Sequence, residues 1–249
     1  MNSFGKLAAS AAVGAMLLTV SAIAPADSAG DGVLHKVDKA VKSYDSLTVK
    51  YTMTTKEAGH DETHLIVRTS FEGHKQFTEI LGPADMKGTK VLHLSNTKMY
   101  IYLPSFRKIR RIASHMTEAG FLGTTYSQRD MNLTAYRPYF EADLASEDDA
   151  TWSLKLKARP DTDAPYGSLE MTVHKKLKLP LRIKYFNDKG THVKTETRMK
   201  YFCEGQVCLP KRQKMVDHTK GDKWSKLHLD EWDINPSLPD KMFSKRNLK

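Results

Sequence analysis

Residues 180–216 read PLRIKYFNDKGTHVKTETRMKYFCEGQVCLPKRQKMV. Three strand-like runs, 180–187, 191–202 and 207–216, are separated by short turns, and Gly190 is placed for the left-handed residue of the first turn. The simplest second turn is a two-residue hairpin with Gly205 leading, as a type II′ turn prefers. That register sets Cys203 opposite Cys208 at a non-hydrogen-bonded pair, where Cα atoms come within disulfide range. Pro210 also falls at a non-hydrogen-bonded position, so its missing N–H breaks no bond to the partner strand. These are the only two cysteines of the chain, and a Cys203–Cys208 disulfide is expected in an oxidising compartment. A zinc site would need further ligands at matching spacing, which the sequence lacks.

Working outward, the same pattern repeats. Leu47, Val49, Tyr51 and Met53 alternate with Thr48, Lys50 and Thr52, the signature of a strand with one buried face. Further strand-like runs fall at 63–71, 74–81, 89–95, 98–103, 151–158, 166–174 and 223–234, about eleven strands in all. Turns such as FEGH, SNTK and NDKG join many of them, and parallel neighbours would need long crossovers that the chain does not contain. One helix precedes the strands: Val33, Val37, Val41 and Tyr44 recur at helical spacing, with Lys36, Lys39 and Lys42 elsewhere on the wheel. Residues 104–150 read as an irregular excursion with one or two short helices. A sheet of this width must curl, and the helical stripe can hide only on its concave side. The expected fold is mainly β: a strongly curved antiparallel sheet, an incomplete barrel, wrapped around helical elements. A two-sheet sandwich is the structural rival.

The amino terminus has the layout of a secretory leader. Lys6 is followed by an uncharged apolar run, 7–23, that is too short and too rich in small residues for a bilayer span, and Ala24 and Ala26 frame a cleavage site. The expected organisation is a leader, 1–26, and one domain, 27–249, soluble in the periplasm. Without Lys6, 38 basic residues stand against 29 acidic ones. An exported chain of that charge meets anionic lipid headgroups and acidic proteins, and nucleic acid is not expected as a partner.

The stretch MYIYLPSFRKIRRIASHMTEAGFLGTTYSQRDM, residues 99–131, carries a strand ending in Tyr102, Leu103 and Pro104. It continues through Arg107, Arg110 and Arg111 to Phe121, Gly123 and Asp130. It resembles the characteristic segment of the outer-membrane lipoprotein-sorting family with the LolA-like fold. Two later stretches, KLKLPLRIKYFNDKGTHVKTETRMKYF and DINPSLPDKMFSKRNL, are similar as well. The resemblance implies a curved sheet around helices whose greasy hollow takes acyl chains of lipids or lipoproteins in transit across the periplasm. It implies a carrier or chaperone, with an envelope transporter or outer-membrane acceptor as partner. The alternative it offers is a sensor of lipid or lipoprotein in envelope-stress signalling. A monomer with no cofactor and no catalytic centre is expected.

Each acyl CH₂ moved from water into such a hollow is worth about 0.8 kcal/mol, so hydrocarbon can be held without specific polar contacts. The residues expected to line it are Val49, Tyr51, Met53, Leu65, Val67, Met99, Ile101, Leu103 and Phe121; ordinary core packing is the competing reading for such side chains. Arg107, Arg110 and Arg111 follow an apolar strand directly, and Arg forks bind phosphate or carboxylate. They are expected to contact an anionic headgroup or acidic partner at the rim, against the plainer reading of a solvated charged face. Catalytic signals are weak. The stretch HDETH, 60–64, places its acidic residues and its turn-side location wrongly for a zinc-protease helix, and no nucleophile elbow or phosphate loop occurs.

Overall fold

The computed structural model describes residues 28–95, 98–112 and 120–249. The expected leader, 1–26, and the centre of the SNTK turn lie outside the described residues. The chain opens with helix α1 (Ala29–Val41) and continues through β1 (Ser46–Lys56), β2 (Thr63–Glu72), β3 (Lys75–Gly82), β4 (Lys90–Ser95), β5 (Lys98–Leu103) and β6 (Lys108–Ile112). A short helix α2 (Gln128–Asn132) follows, then β7 (Phe140–Glu147), β8 (Thr151–Ala158), β9 (Ser168–His174), β10 (Leu179–Phe186), β11 (His192–Glu204), β12 (Val207–Asp217) and β13 (Lys223–Ile234).

All thirteen strands form one antiparallel sheet in the order β6-β5-β4-β3-β2-β1-β13-β12-β11-β10-β9-β8-β7. Two meanders, β1–β6 and β7–β13, are therefore joined by the pairing of the first strand with the last, and the sheet stays open with β6 and β7 as edges. The expected curved antiparallel sheet is present, but it has thirteen strands rather than about eleven. Both additional strands lie in 104–150, the stretch expected to be irregular, which corrects that expectation. β6 is a five-residue edge strand of sequence KIRRI, too short and too charged to show a buried face. β7 does alternate, with Phe140 and Ala142 buried and Glu141 and Asp143 exposed, a period-2 signal that its acidic composition hides.

The hairpin expected at Gly205 forms. Gly205 takes φ 59, Cys203 pairs with Cys208, and the two cysteines are bonded. Between β1 and β13 the register shifts at Lys50/Tyr51, leaving Asp230 unpaired, and Thr52 Oγ1 donates to its Oδ2 at 2.7 Å. Such bulges add local twist and help a wide sheet to coil.

The concave side is filled in part by α1, which packs against β7, β8, β10 and β12 with Val33, Leu34 and Val37 buried. Its start is fixed by Ser28, whose side chain accepts from Asp31 N–H and donates to Ala142 C=O at 2.7 Å. Ala142 N–H in turn donates to Asp31 Oδ1 at 3.0 Å, so the helix start satisfies both polar groups of one residue on the β7 edge. Asp38 holds the chain after α2 by accepting the N–H groups of Tyr136 and Arg137 at 2.8 and 3.0 Å. On the opposite face, the carboxyl-terminal turns press Phe243 and Leu248 onto Phe77 of β3 and Leu92 of β4.

Candidate ligand-binding hollow

The part of the concave side that α1 leaves uncovered is a hollow of about 190 Å³ between β1, β2, β11, β12 and the segment carrying α2. Half-buried Val41, Tyr44, Phe71 and Pro210 form its mouth, and buried Met53, Val67 and Tyr126 lie deeper. Alternation places these side chains: Leu47, Tyr51 and Met53 share one face of β1, and their β2 partners Phe71, Val67 and Leu65 share the matching face.

The floor is polar. Glu196 and Arg198, two apart on β11, point into the same space, with Arg198 Nε 2.9 Å from Glu196 Oε1 and Nη2 3.1 Å from Oε2. Glu196 Oε2 also accepts from the Tyr185 hydroxyl at 2.7 Å. The hydroxyls of Tyr136 and Tyr201 face the same guanidinium, and Tyr201 donates to Pro180 C=O at 2.6 Å. Burial opposes the charge on Arg198, and Glu196 beside it more than offsets that cost. Burial also pushes the Tyr44 and Tyr136 hydroxyls up to about 12 and raises Tyr51, Tyr126 and Tyr185 further. The ring of tyrosines is therefore neutral at any physiological pH. At the hollow's side, buried Asp130 completes the capping box of α2 with Ser127 and accepts from Lys194 Nζ at 2.6 Å and Tyr166 OH at 2.5 Å.

The nine residues expected to line the hollow are dispersed. Tyr51, Met53 and Val67 line it. Leu65 and Phe121 are buried in the main core, with Ile101 packed against it, and Val49 sits in a neighbouring cluster with Leu209 and Leu229. Met99 is buried with its sulfur 3.8 Å from Asn132 Nδ2, and Leu103 ends β5 half-exposed. Arg110 and Arg111 occupy adjacent positions of β6, paired with Ile101 and Tyr100, so they point to opposite faces. Arg107 is the left-handed residue (φ 49) that ends the turn after β5. The three guanidinium groups thus follow an edge strand instead of converging. In HDETH, His60 Nδ1 is 3.0 Å from Ala58 O, and His64 Nδ1 is 3.2 Å from Thr54 Oγ1.

Glu196, Arg198, Tyr126, Phe71 and Leu209 escaped the sequence reading. The one available signal is the pair of opposite charges two apart in TETRM, which alternation puts on one face of a strand; only the pairing of β11 with β12 shows that face to be the inner one. A second depression, about 380 Å³, adjoins the same segment, lined by Arg129, Lys194, Asp217 and Lys220. Among its charged groups, Arg129 pairs with Asp163, Lys194 with Asp130 and Lys220 with Asp217.

Among curated proteins no sequence relative matches. Solved structures do. A domain assigned to the outer membrane lipoprotein-sorting proteins, from Vibrio parahaemolyticus, superimposes with TM-score 0.77 at 19% identity, covering 88% of this chain and 97% of that one. A DUF1329 family protein from Desulfovibrio piger gives 0.78 at 16%, covering 89% and 100%. A LolA superfamily protein from Nitrosomonas europaea gives 0.73 at 21%, covering 88% and 98%. A family model described as "Uncharacterized protein" matches residues 72–249. The chain belongs to the family of that model and has the open, curved-sheet fold of the LolA-like proteins.

Proposed function

We propose that this chain is an exported carrier that takes hydrocarbon of a lipid or lipoprotein into the hollow on the concave side of its sheet. The observation that carries the reading is the hollow itself: an apolar-mouthed space, in a fold shared with lipoprotein-sorting structures, that the chain's own helix and core do not fill. The leader 1–26 supports export, with residues 27–249 as the working domain. Among the described residues no helix is long and apolar enough to cross a membrane. An envelope transporter as donor and an outer-membrane acceptor are the partners that suit a carrier, and a monomer would suffice for the task.

Size sets the strength of holding. About 190 Å³ is below the roughly 300–1,000 Å³ of pockets that enclose drug-sized ligands, and near the roughly 150 Å³ cavity that takes a benzene. A guest of about six carbons gains about 5 kcal/mol at 0.8 kcal/mol per CH₂, which is sub-millimolar affinity. Such weak holding suits a protein that must hand its cargo on. Seating a whole acyl chain requires the segment around α2 to move outward.

The test is native mass spectrometry of the protein purified from its export compartment. A co-purifying mass that organic extraction assigns to an acyl lipid is expected. Protein that is ligand-free, and that stays so after incubation with lipid vesicles, would remove the proposal.

A further inference from the structure

Resting on the carrier reading, we propose that the hollow seats an uncharged amphiphile head-first: an ester, amide or hydroxyl oxygen of the guest reaches Arg198 and Tyr126, and its hydrocarbon leads out past Tyr44 and Phe71.

Three observations carry this. The first is an orphan donor. Tyr126 is 5% exposed and lines the hollow, and its hydroxyl has no hydrogen-bond partner among the described residues. A buried donor left unmade is costly, so a guest oxygen within its reach would be held. The second is an ion pair where hydrocarbon alone would want none. Replacing a buried pair by apolar side chains of similar volume is often neutral or stabilising, so stability does not explain Glu196 and Arg198 in a hollow lined by Leu47, Met53 and Val67. Glu196 takes two of the five guanidinium N–H groups, and the neutral hydroxyls of Tyr136 and Tyr201, which face the same group, are partners that a guest oxygen can replace. The third is charge balance. Arg198 is matched by Glu196, and Asp130 by Lys194. A carboxylate or phosphate arriving there would confront Glu196 and Asp130 with no spare cation, and an ammonium would confront Arg198. A neutral head meets neither penalty and still finds donors.

The experiment is displacement of N-phenyl-1-naphthylamine from the mature full-length protein at pH 7.5 by glycerol monooleate, sodium oleate and 1-octadecene. These probes share a long chain and differ in head: neutral and oxygenated, anionic, and absent. Glycerol monooleate is expected to bind tightest, with oleate at least about tenfold weaker. Tyr126→Phe keeps the ring and removes the hydroxyl. It should weaken glycerol monooleate by about five- to tenfold, the worth of one hydrogen bond, and leave 1-octadecene unchanged. Glu196→Gln leaves the guanidinium uncompensated and should shift the preference toward oleate. Oleate binding as tightly as glycerol monooleate, or Tyr126→Phe weakening all three ligands equally, would overturn the inference while the carrier reading stands. Failure of every ligand to displace the probe would remove both.

Discussion

Gly30 is the residue on which the contact between α1 and the sheet turns. A Cβ there would stand 2.2 Å from Ala142 O and 2.6 Å from Asp143 C, backbone atoms that cannot move aside without shifting the β7 edge. Alanine in a helix interior gains about 1 kcal/mol over glycine, and this clash outweighs it. Gly30→Ala is expected to destabilise by about 2 kcal/mol or more, measured by urea unfolding. Two residues earlier, Ser28 caps the same helix and bonds Ala142. Ser28→Ala should cost about 1 kcal/mol, measured by the same urea unfolding. His192 gives a pH signature. Burial and then neighbouring His218 hold its pKa below the usual 6.5. The unfolded chain takes up a proton that the folded one declines, so this contribution is present above pH 6.5 and is lost as pH falls through the folded value. Between pH 7.5 and 5.5 the urea midpoint of His192→Asn should fall less than that of the wild-type protein; an equal fall would show that His192 is not responsible.

At the scale of elements, each edge of the sheet is guarded differently. α1 covers part of β7 through Ser28 and Asp31, and β6 carries Lys108, Arg110 and Arg111 in the open. Charged edge strands resist pairing with other chains, which gives the arginine cluster a role that needs no ligand. Replacing Arg107, Arg110 and Arg111 together by Gln decides between the two roles. Self-association in analytical ultracentrifugation with unchanged binding to anionic vesicles supports edge protection; lost vesicle binding with a monomer supports the headgroup contact. The disulfide closes a loop of only six residues, so its reduction should lower stability by about 2 kcal/mol at most and leave the fold intact by circular dichroism. These elements also show what was legible in advance. The Gly205 hairpin with its Cys203–Cys208 pair could be read because turn chemistry and register are local. β6 and β7 could not, although each pairs with its neighbour in sequence, because β6 is five residues of mostly charged sequence and the acidic composition of β7 hides its alternation. The hollow was half legible: the alternation of β1 showed Tyr51 and Met53 to be inward, whereas Glu196, Arg198 and Tyr126 meet only through the coiling of the whole sheet.

For the molecule as a whole, curvature converts a meander into a container. Thirteen strands bury one helix and one connecting segment on the concave side, the carboxyl-terminal turns cover part of the other face, and the space left over has a greasy mouth and a polar floor. The hollow is small in this conformation, so the proposed carriage would depend on displacement of the segment around α2, which is tied down by Asp38 at one end and by Lys194 and Tyr166 at Asp130. Asp130→Asn removes the charge that holds Lys194 and should raise the exchange rate of a bound fluorescent lipid severalfold while leaving the sheet unchanged. The central claim is that hydrocarbon enters this hollow and no other surface. Photo-crosslinking with a diazirine-bearing acyl chain, followed by peptide mapping, measures that directly. Labels on Tyr44, Met53, Phe71 or Leu209 are the expected result; labels confined to the outer face of the sheet, or none above a serum-albumin-depleted control, would contradict it.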